Sequence, residues 1–345
     1  MTTFRSRTEY INDLFVSTYA SAIGSVRDNI FDAKKSAFWA TLRQKGGMMS
    51  QLGGDYIKYN LEYDQNDQLF WLAKGGEVEL NDFEHLEKAR YKWYRVDKPI
   101  VRFWADDQEN SGDAQIVDMV KSKINNTMGT YAEDLDAALL ADVVSSGGVS
   151  LENDETGLVL PTVQHLISDD GTGTVGEINA STYTWWKNQF LDYDGSSDWV
   201  TTPGSPVDAD WLNTGVQAMR QMVKQCRNKT DLILCDWHMF SLMQDDLLTY
   251  FQWDGKMAAD LGLPTNTPTF DGIPVMWSEN CPSGKMYFLD MDSLKFVYDP
   301  RYFLTLGPWL PLPKQPNDLV AHVTLACSLT VSERRRQGVI HGLPT

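Results

Sequence analysis

The stretch between Gly53 and Gly112 constrains this chain most. It opens on Gly53 and Gly54 and runs as two strand-like legs, Tyr56 to Tyr63 and Lys88 to Phe103, around a polar middle interrupted at Lys74, Gly75 and Gly76. Legs of about 25 residues at roughly 3.3 Å each would reach up to about 80 Å, far beyond an ordinary strand. A two-stranded ribbon is marginally stable in water, and this one carries Phe70, Trp71, Tyr91, Trp93, Tyr94, Phe103 and Trp104. It needs another surface to lie on, and the simplest is a neighbouring subunit.

The strongest helical pattern follows. From Gly112 to about Asp142, Ile116, Val117, Val120, Ile124, Met128, Tyr131, Leu135 and Leu139 recur at three- and four-residue intervals. Asp113 sits in the first turn, where a carboxylate suits the helix dipole. Thirty or so residues at 1.5 Å each make a spine of about 46 Å, stopped by Ser145, Ser146, Gly147 and Gly148.

Before the ribbon, helical spacing at Ile11, Leu14, Phe15, Thr18 and Ala22, then at Ala37, Phe38 and Leu42, predicts an arm with one or two helices. After the spine, Val149 to Leu312 alternates short helices and strands. Among them are an amphipathic helix over Asp208 to Cys226, a buried strand from Leu232 leading into a helix near Trp237, and runs at Ile273 to Trp277 and Met286 to Leu289 flanking a turn at Pro282, Ser283 and Gly284. These predict a mixed sheet. The last element alternates, with Leu319, Ala321, Val323, Leu325, Cys327, Leu329 and Val331 on one face, and reads as one long strand buried on one side.

Several stretches, in this order, resemble the major head proteins of tailed bacteriophages: KARYKWYRVDKPIVRF, QIVDMVKSKINNTMGTYAEDLDAALLAD, GLVLPTVQHLISDDGTGTVGEINASTYTWWKNQF, FDGIPVMWSENCPSGKMYFLDMDSLKF and LACSLTVSERRRQGVIHGL. The resemblance implies an α+β, Hong Kong 97-like capsid fold. Its divisions would be an N-terminal arm (1–53), an extended loop or E-loop with its return strand (54–105), a peripheral domain on the spine helix (106–148), an axial domain with a mixed sheet (149–312) and a return strand of the peripheral domain (313–345). The FDGIPVMW to MDSLKF stretch would be a late hairpin. The function implied is structural: self-assembly into hexamers and pentamers of a phage head around double-stranded DNA, with scaffolding, portal and decoration proteins as further partners. The virion, and the host cytoplasm during assembly, would be its locations. An encapsulin-like nanocompartment shares the fold and is the first alternative. A carbohydrate-binding or hydrolytic protein using Trp185, Trp186 and Trp199 is the second.

Composition agrees with a folded, non-basic shell protein. Of 345 residues, 42% are hydrophobic, enough for a sizeable core. The net charge of −17 argues against general affinity for nucleic acid or anionic membranes, so packaged DNA is expected only as non-specific content. The four cysteines are widely spaced beside apolar neighbours, which fits reduced, buried thiols. No stretch approaches the roughly 20 apolar residues of a membrane span.

Chemical motifs are weak. Gly171, Gly173 and Gly176 fit a GxGxxG pattern, but Asp169 and Asp170 precede them and no helical period follows, so a turn-forming loop is expected. Cys235 and His238 have metal-ligand spacing without a second pair. No catalytic, cofactor or metal residues are therefore assigned. What stands out is a basic concentration on the ribbon's return leg, Lys88, Arg90, Lys92, Arg95, Lys98 and Arg102, and a second at Arg334, Arg335 and Arg336. Either a solvated strand face or contact with an acidic neighbouring subunit would account for the first; a subunit bridge, a charged strand end or, third, contact with packaged DNA would account for the second. The candidate contact residues are Phe70, Trp71, Lys88, Arg90, Lys92, Arg95, Arg334, Arg335 and Arg336.

Overall fold

A computed structural model describes residues 37–64, 71, 74, 84–104, 119–141, 160–192, 215–247, 252–253, 268–312 and 315–343. The expected first arm helix, Phe70, the start of the spine at Gly112, its Ser-Gly stop and Trp199 lie outside these residues.

Two sheets organise the chain. The six-stranded one is built on the long strand Gln315–Val331, which pairs antiparallel with Leu294–Tyr298, Thr305–Leu306, Leu310–Leu312 and Tyr94–Arg102; Met48–Ser50 joins parallel to Leu294–Tyr298. The seven-stranded sheet is mixed, in the order Gln189–Asp192, Gly338–His341, Met286–Leu289, Leu232–Cys235, Ile273–Trp277, Pro268–Phe270 and Gln252–Trp253.

The ribbon root is the hairpin of Ile57–Glu62 with Leu86–Tyr91, in register from Ile57 opposite Tyr91 to Glu62 opposite Leu86. The expected return leg is not one strand. After Trp93 the chain leaves the ribbon, and Tyr94–Arg102 joins the six-stranded sheet, in register from Tyr94 opposite Cys327 to Arg102 opposite Leu319. The long strand offers a full row of backbone partners there, which a free ribbon edge lacks.

Two further expectations are corrected by pairing. Ile273–Trp277 and Met286–Leu289 do not form a hairpin, because Leu232–Cys235 lies between them, parallel to the first and antiparallel to the second. All four of its residues are buried, so it needs cover on both faces and neighbours on both edges. The segment after the long strand does not stay with the six-stranded sheet either: Gly338–His341 enters the mixed sheet.

The spine helix runs Met119–Leu140 in the described residues, and Tyr131, Leu135 and Leu139 face the main core with Phe38, Leu42, Ile57 and Phe296. A second core lies between the mixed sheet and the helices Gly215–Gln225 and Trp237–Leu247, around Met219, Met222, Met239, Met243 and Phe288. Gly338 lies where the first of these helices crosses the sheet. A Cβ there would stand 2.5 Å from Met222 Sδ and 2.8 Å from Cys226 Sγ. Gly338→Val should therefore lower stability by about 3 kcal/mol through overpacking, read as a lower urea midpoint of the unassembled chain; an unchanged midpoint would show that the helix yields without loss.

The long strand is buried on one side only over its first half. From Leu325 onward both faces are covered, and Ser328 and Thr330 are as buried as Leu329. Thr330 Oγ1 donates to Lys295 O (3.0 Å) and lies 3.0 Å from Tyr59 Oη, so hydroxyl pairing with the ribbon root offsets its burial.

Candidate interaction surfaces

The ribbon root is fixed to the body by its own side chains. Tyr91 Oη donates to Val331 O at 2.7 Å, and burial pushes its hydroxyl well above the usual tyrosine range. Along the same strand, the main chain of Arg90 donates to Gly176 O at 2.9 Å. Gly176 and Glu177 both have positive φ, 63° and 67°, and form the two-residue turn between Thr174–Val175 and Ile178–Asn179. A Cβ on Gly176 would meet Ala89 Cβ and Tyr91 at 3.1 Å, so the turn can press against the ribbon only as glycine. The glycine triplet is thus a turn that braces the root, and Asp170 tightens it by accepting from Thr172 N (2.9 Å) and Thr172 Oγ1 (2.6 Å).

Of the candidate aromatic contacts, Trp71 is 91% exposed in the single chain. Of the basic residues, Lys88 and Arg90 are exposed on Leu86–Tyr91, with Arg90 3.6 Å from Glu177 of its own chain. Lys92 is half-buried in the connection, and Arg95 is exposed on the strand that has joined the sheet. Lys98 is turned inward, ion-paired with Asp134 and donating to Thr130 Oγ1 (3.1 Å) on the spine helix. Two of the six cations thus lie on Leu86–Tyr91, one in the connection and three on Tyr94–Arg102, and they do not make one continuous basic face.

The arginine triplet divides more sharply. Arg334 is fully buried and is not an outer contact. Its Nε donates to Leu166 O (2.7 Å), and its Nη2 to Thr172 O (2.8 Å) and Ser168 Oγ (3.1 Å), tying residues 166–172 beneath the ribbon root. Burial lowers its pKa to about 10, while Tyr91 and Asp170 act in the opposite sense. Only a charged side chain with a fork of donors fits three acceptors there. Arg336 pairs with Glu333 (2.6 Å) and with buried Asp290 (3.5 Å). Arg335 alone of the three is exposed.

Two groups went unnoticed in the sequence. Asp136, on the buried face of the spine helix, accepts from Trp39 N (2.7 Å), Asn280 Nδ2 (3.0 Å) and Ser278 Oγ (3.4 Å). It supplies a cap to helix Ala37–Gln44 from 97 residues away and ties that helix to the turn after Ile273–Trp277. An acid beside Leu135 and three residues before Leu139 was the available signal. Asp231, Asp290 and Asp292 also converge, with carboxylate oxygens within 4.8 Å of one another. Asp290 Oδ1 accepts from Asp292 N (3.0 Å) and Asp231 Oδ2 from Met291 N (3.2 Å), so they brace the turn between Met286–Leu289 and Leu294–Tyr298.

Cys235 is a buried core thiol while His238 is exposed, so the pair does not converge. Trp186 is only 2% exposed and donates to Val175 O (3.0 Å), which makes it structural and removes it from any sugar platform. No helix among the described residues is long and apolar enough to cross a membrane.

No family model matches the chain, and no curated protein matches it in sequence. Solved structures do. The capsid asymmetric unit of cyanophage A-1(L) superposes with a TM-score of 0.61 at 14% identity, over 93% of this chain and 96% of that one. The capsid of a native GTA particle gives 0.59 at 12% identity, over 93% and 94%. The fold is Hong Kong 97-like. The holo-SrpI encapsulin complex from Synechococcus elongatus PCC 7942 gives 0.53 at 10% identity, over 94% of each chain.

Proposed function

We propose that this chain is the major capsid protein of a tailed bacteriophage, self-assembling into the hexamers and pentamers of an icosahedral head that encloses double-stranded DNA. The observation that carries the reading is correspondence over more than nine-tenths of its length to capsid chains, joined to a ribbon whose Trp71 is left outside. The work is mechanical: repeated heterologous contacts between identical subunits close into rings and then into a shell. On this reading the chain divides into arm, extended loop, peripheral domain and axial domain, with residues 94–102 counted with the peripheral sheet and 338–341 with the axial one on the ground of their strand pairing. Phe70, Trp71, Lys88, Lys92 and Arg95 are its subunit contacts, with Arg90 shared between Glu177 and a neighbour. Scaffolding and portal proteins are its partners during assembly, and a decoration protein fits its outer surface.

Size-exclusion chromatography followed by negative-stain microscopy of the full chain tests this. Closed shells, or rings of five and six, are expected; a monodisperse monomer under every assembly condition would sink the reading. Shells carrying protein cargo and no DNA in infected cells would transfer it to an encapsulin-like compartment, the reading that the encapsulin similarity favours. In the same assay, Lys92→Glu with Arg95→Glu should abolish shells and leave a folded subunit, because like-charge contacts are strongly disfavoured across interfaces.

A further inference from the structure

Between the ribbon root, the Trp185 region and the turn after the long strand lies a groove of about 400 Å³. Tyr63 and Trp185 stack along one wall, with ring centroids 5.3 Å apart and planes 19° from parallel. Arg227, Arg334 and Arg335 line the rest, together with Glu62 and Glu333. Glu333 is held by Arg336 at 2.6 Å, so the lining presents two exposed guanidiniums, Arg227 and Arg335, over the buried Arg334, beside Glu62, in a chain whose net charge is −17. Arg227 and Arg335 are exposed and make no ion pair among the described residues. Beneath them, Nη1 of buried Arg334 has no hydrogen-bond partner among the described residues, which leaves one arm of its guanidinium unmatched there.

We infer that this groove is a carboxylate-binding site filled by acidic side chains of a second copy of the chain. The inference rests on the shell reading above and adds a specific contact to it. A carboxylate offers the planar, bidentate acceptor that a guanidinium fork matches, and the aromatic wall shields the pair from water on one side. Charge decides the occupant: the other copy is strongly acidic, so opposite potentials meet where the ribbon leaves the body. The fixed Arg334 sets a positive floor, and the two exposed arginines supply the direct contacts. Sequence spacing grouped Arg334 with Arg335 but gave no link to Arg227, which lies more than a hundred positions before them.

Arginine footprinting with phenylglyoxal, read by mass spectrometry on free subunits and on shells, tests the contact. Arg227 and Arg335 should become at least about fivefold less reactive on assembly, and Arg227→Glu with Arg335→Glu should raise the subunit concentration needed for shells by about tenfold or more. Shells in which both arginines stay as reactive as in free subunits would overturn the groove assignment and leave the shell reading intact, whatever the variant does. A wild-type chain that never forms shells would overturn both. Retention of DNA by free subunits, lost in the double variant, would assign the groove to phosphates and overturn the second-copy occupant.

Discussion

Arg334→Ala should lower the stability of the unassembled chain by about 4 kcal/mol, among the largest single-residue losses expected here. The substitution removes three donated hydrogen bonds and leaves the carbonyls of Leu166 and Thr172 without their donor in a buried site. A buried acceptor deprived of its partner loses about 1–3 kcal/mol, and the segment 166–172 also loses its anchor to the turn that follows Val331. Lysine keeps the charge but cannot reach three acceptors in a planar fork, so Arg334→Lys should recover less than half of the loss. Urea unfolding at constant slope measures both variants. A shift under about 1 kcal/mol for the alanine variant would mean that the buried guanidinium merely breaks even against its desolvation.

The second large effect is a change of pH dependence. Burial raises the Asp136 carboxyl from the ordinary 3.8 to about 6, and the hydrogen bonds from Asn280, Trp39, Ser278 and Phe38 only partly offset it. The fold thus binds this proton more tightly than the unfolded chain does. Stability associated with the neutral carboxyl is fully present below about pH 4 and is lost as pH rises through about 6, on the order of 3 kcal/mol for a shift of this size. Asparagine does not titrate. The stability of Asp136→Asn minus that of the wild type should therefore climb by about 3 kcal/mol between pH 4 and pH 7.5, on top of a constant offset for the altered acceptor. Taking the difference cancels every other carboxylate, and a flat line would show that Asp136 keeps an ordinary pKa in the fold.

Elements whose signal is local were legible in the chain. The spine helix needed only three- and four-residue spacing, and the helix around Met219 and the buried strand Leu232–Cys235 were equally plain. Pairing was less so. Tyr94–Arg102 continues the ribbon in sequence, yet its partner is a strand more than two hundred residues away. Ile273–Trp277 and Met286–Leu289 look like a hairpin because a turn separates them, and only the third strand between them shows otherwise. Strand periodicity reports which face is buried and carries no label for the neighbour at each edge.

The candidate contacts divide along the same line. That an aromatic ribbon would look for an outside surface was an expectation from composition and length, and Trp71 is exposed in the single chain. Arg334, Arg335 and Arg336 were indistinguishable in sequence, since adjacent cations carry equal charge and no period separates them. Folding made the first a buried anchor, the second an exposed arm of a groove and the third an internal ion pair. The α+β class, the spine and the long strand were written in the linear pattern, because hydrophobic period and local propensity act over a few residues. Strand order, the cap that Asp136 gives a distant helix and the fate of each arginine arose only on packing, because desolvation and hydrogen-bond partners are properties of the assembled neighbourhood.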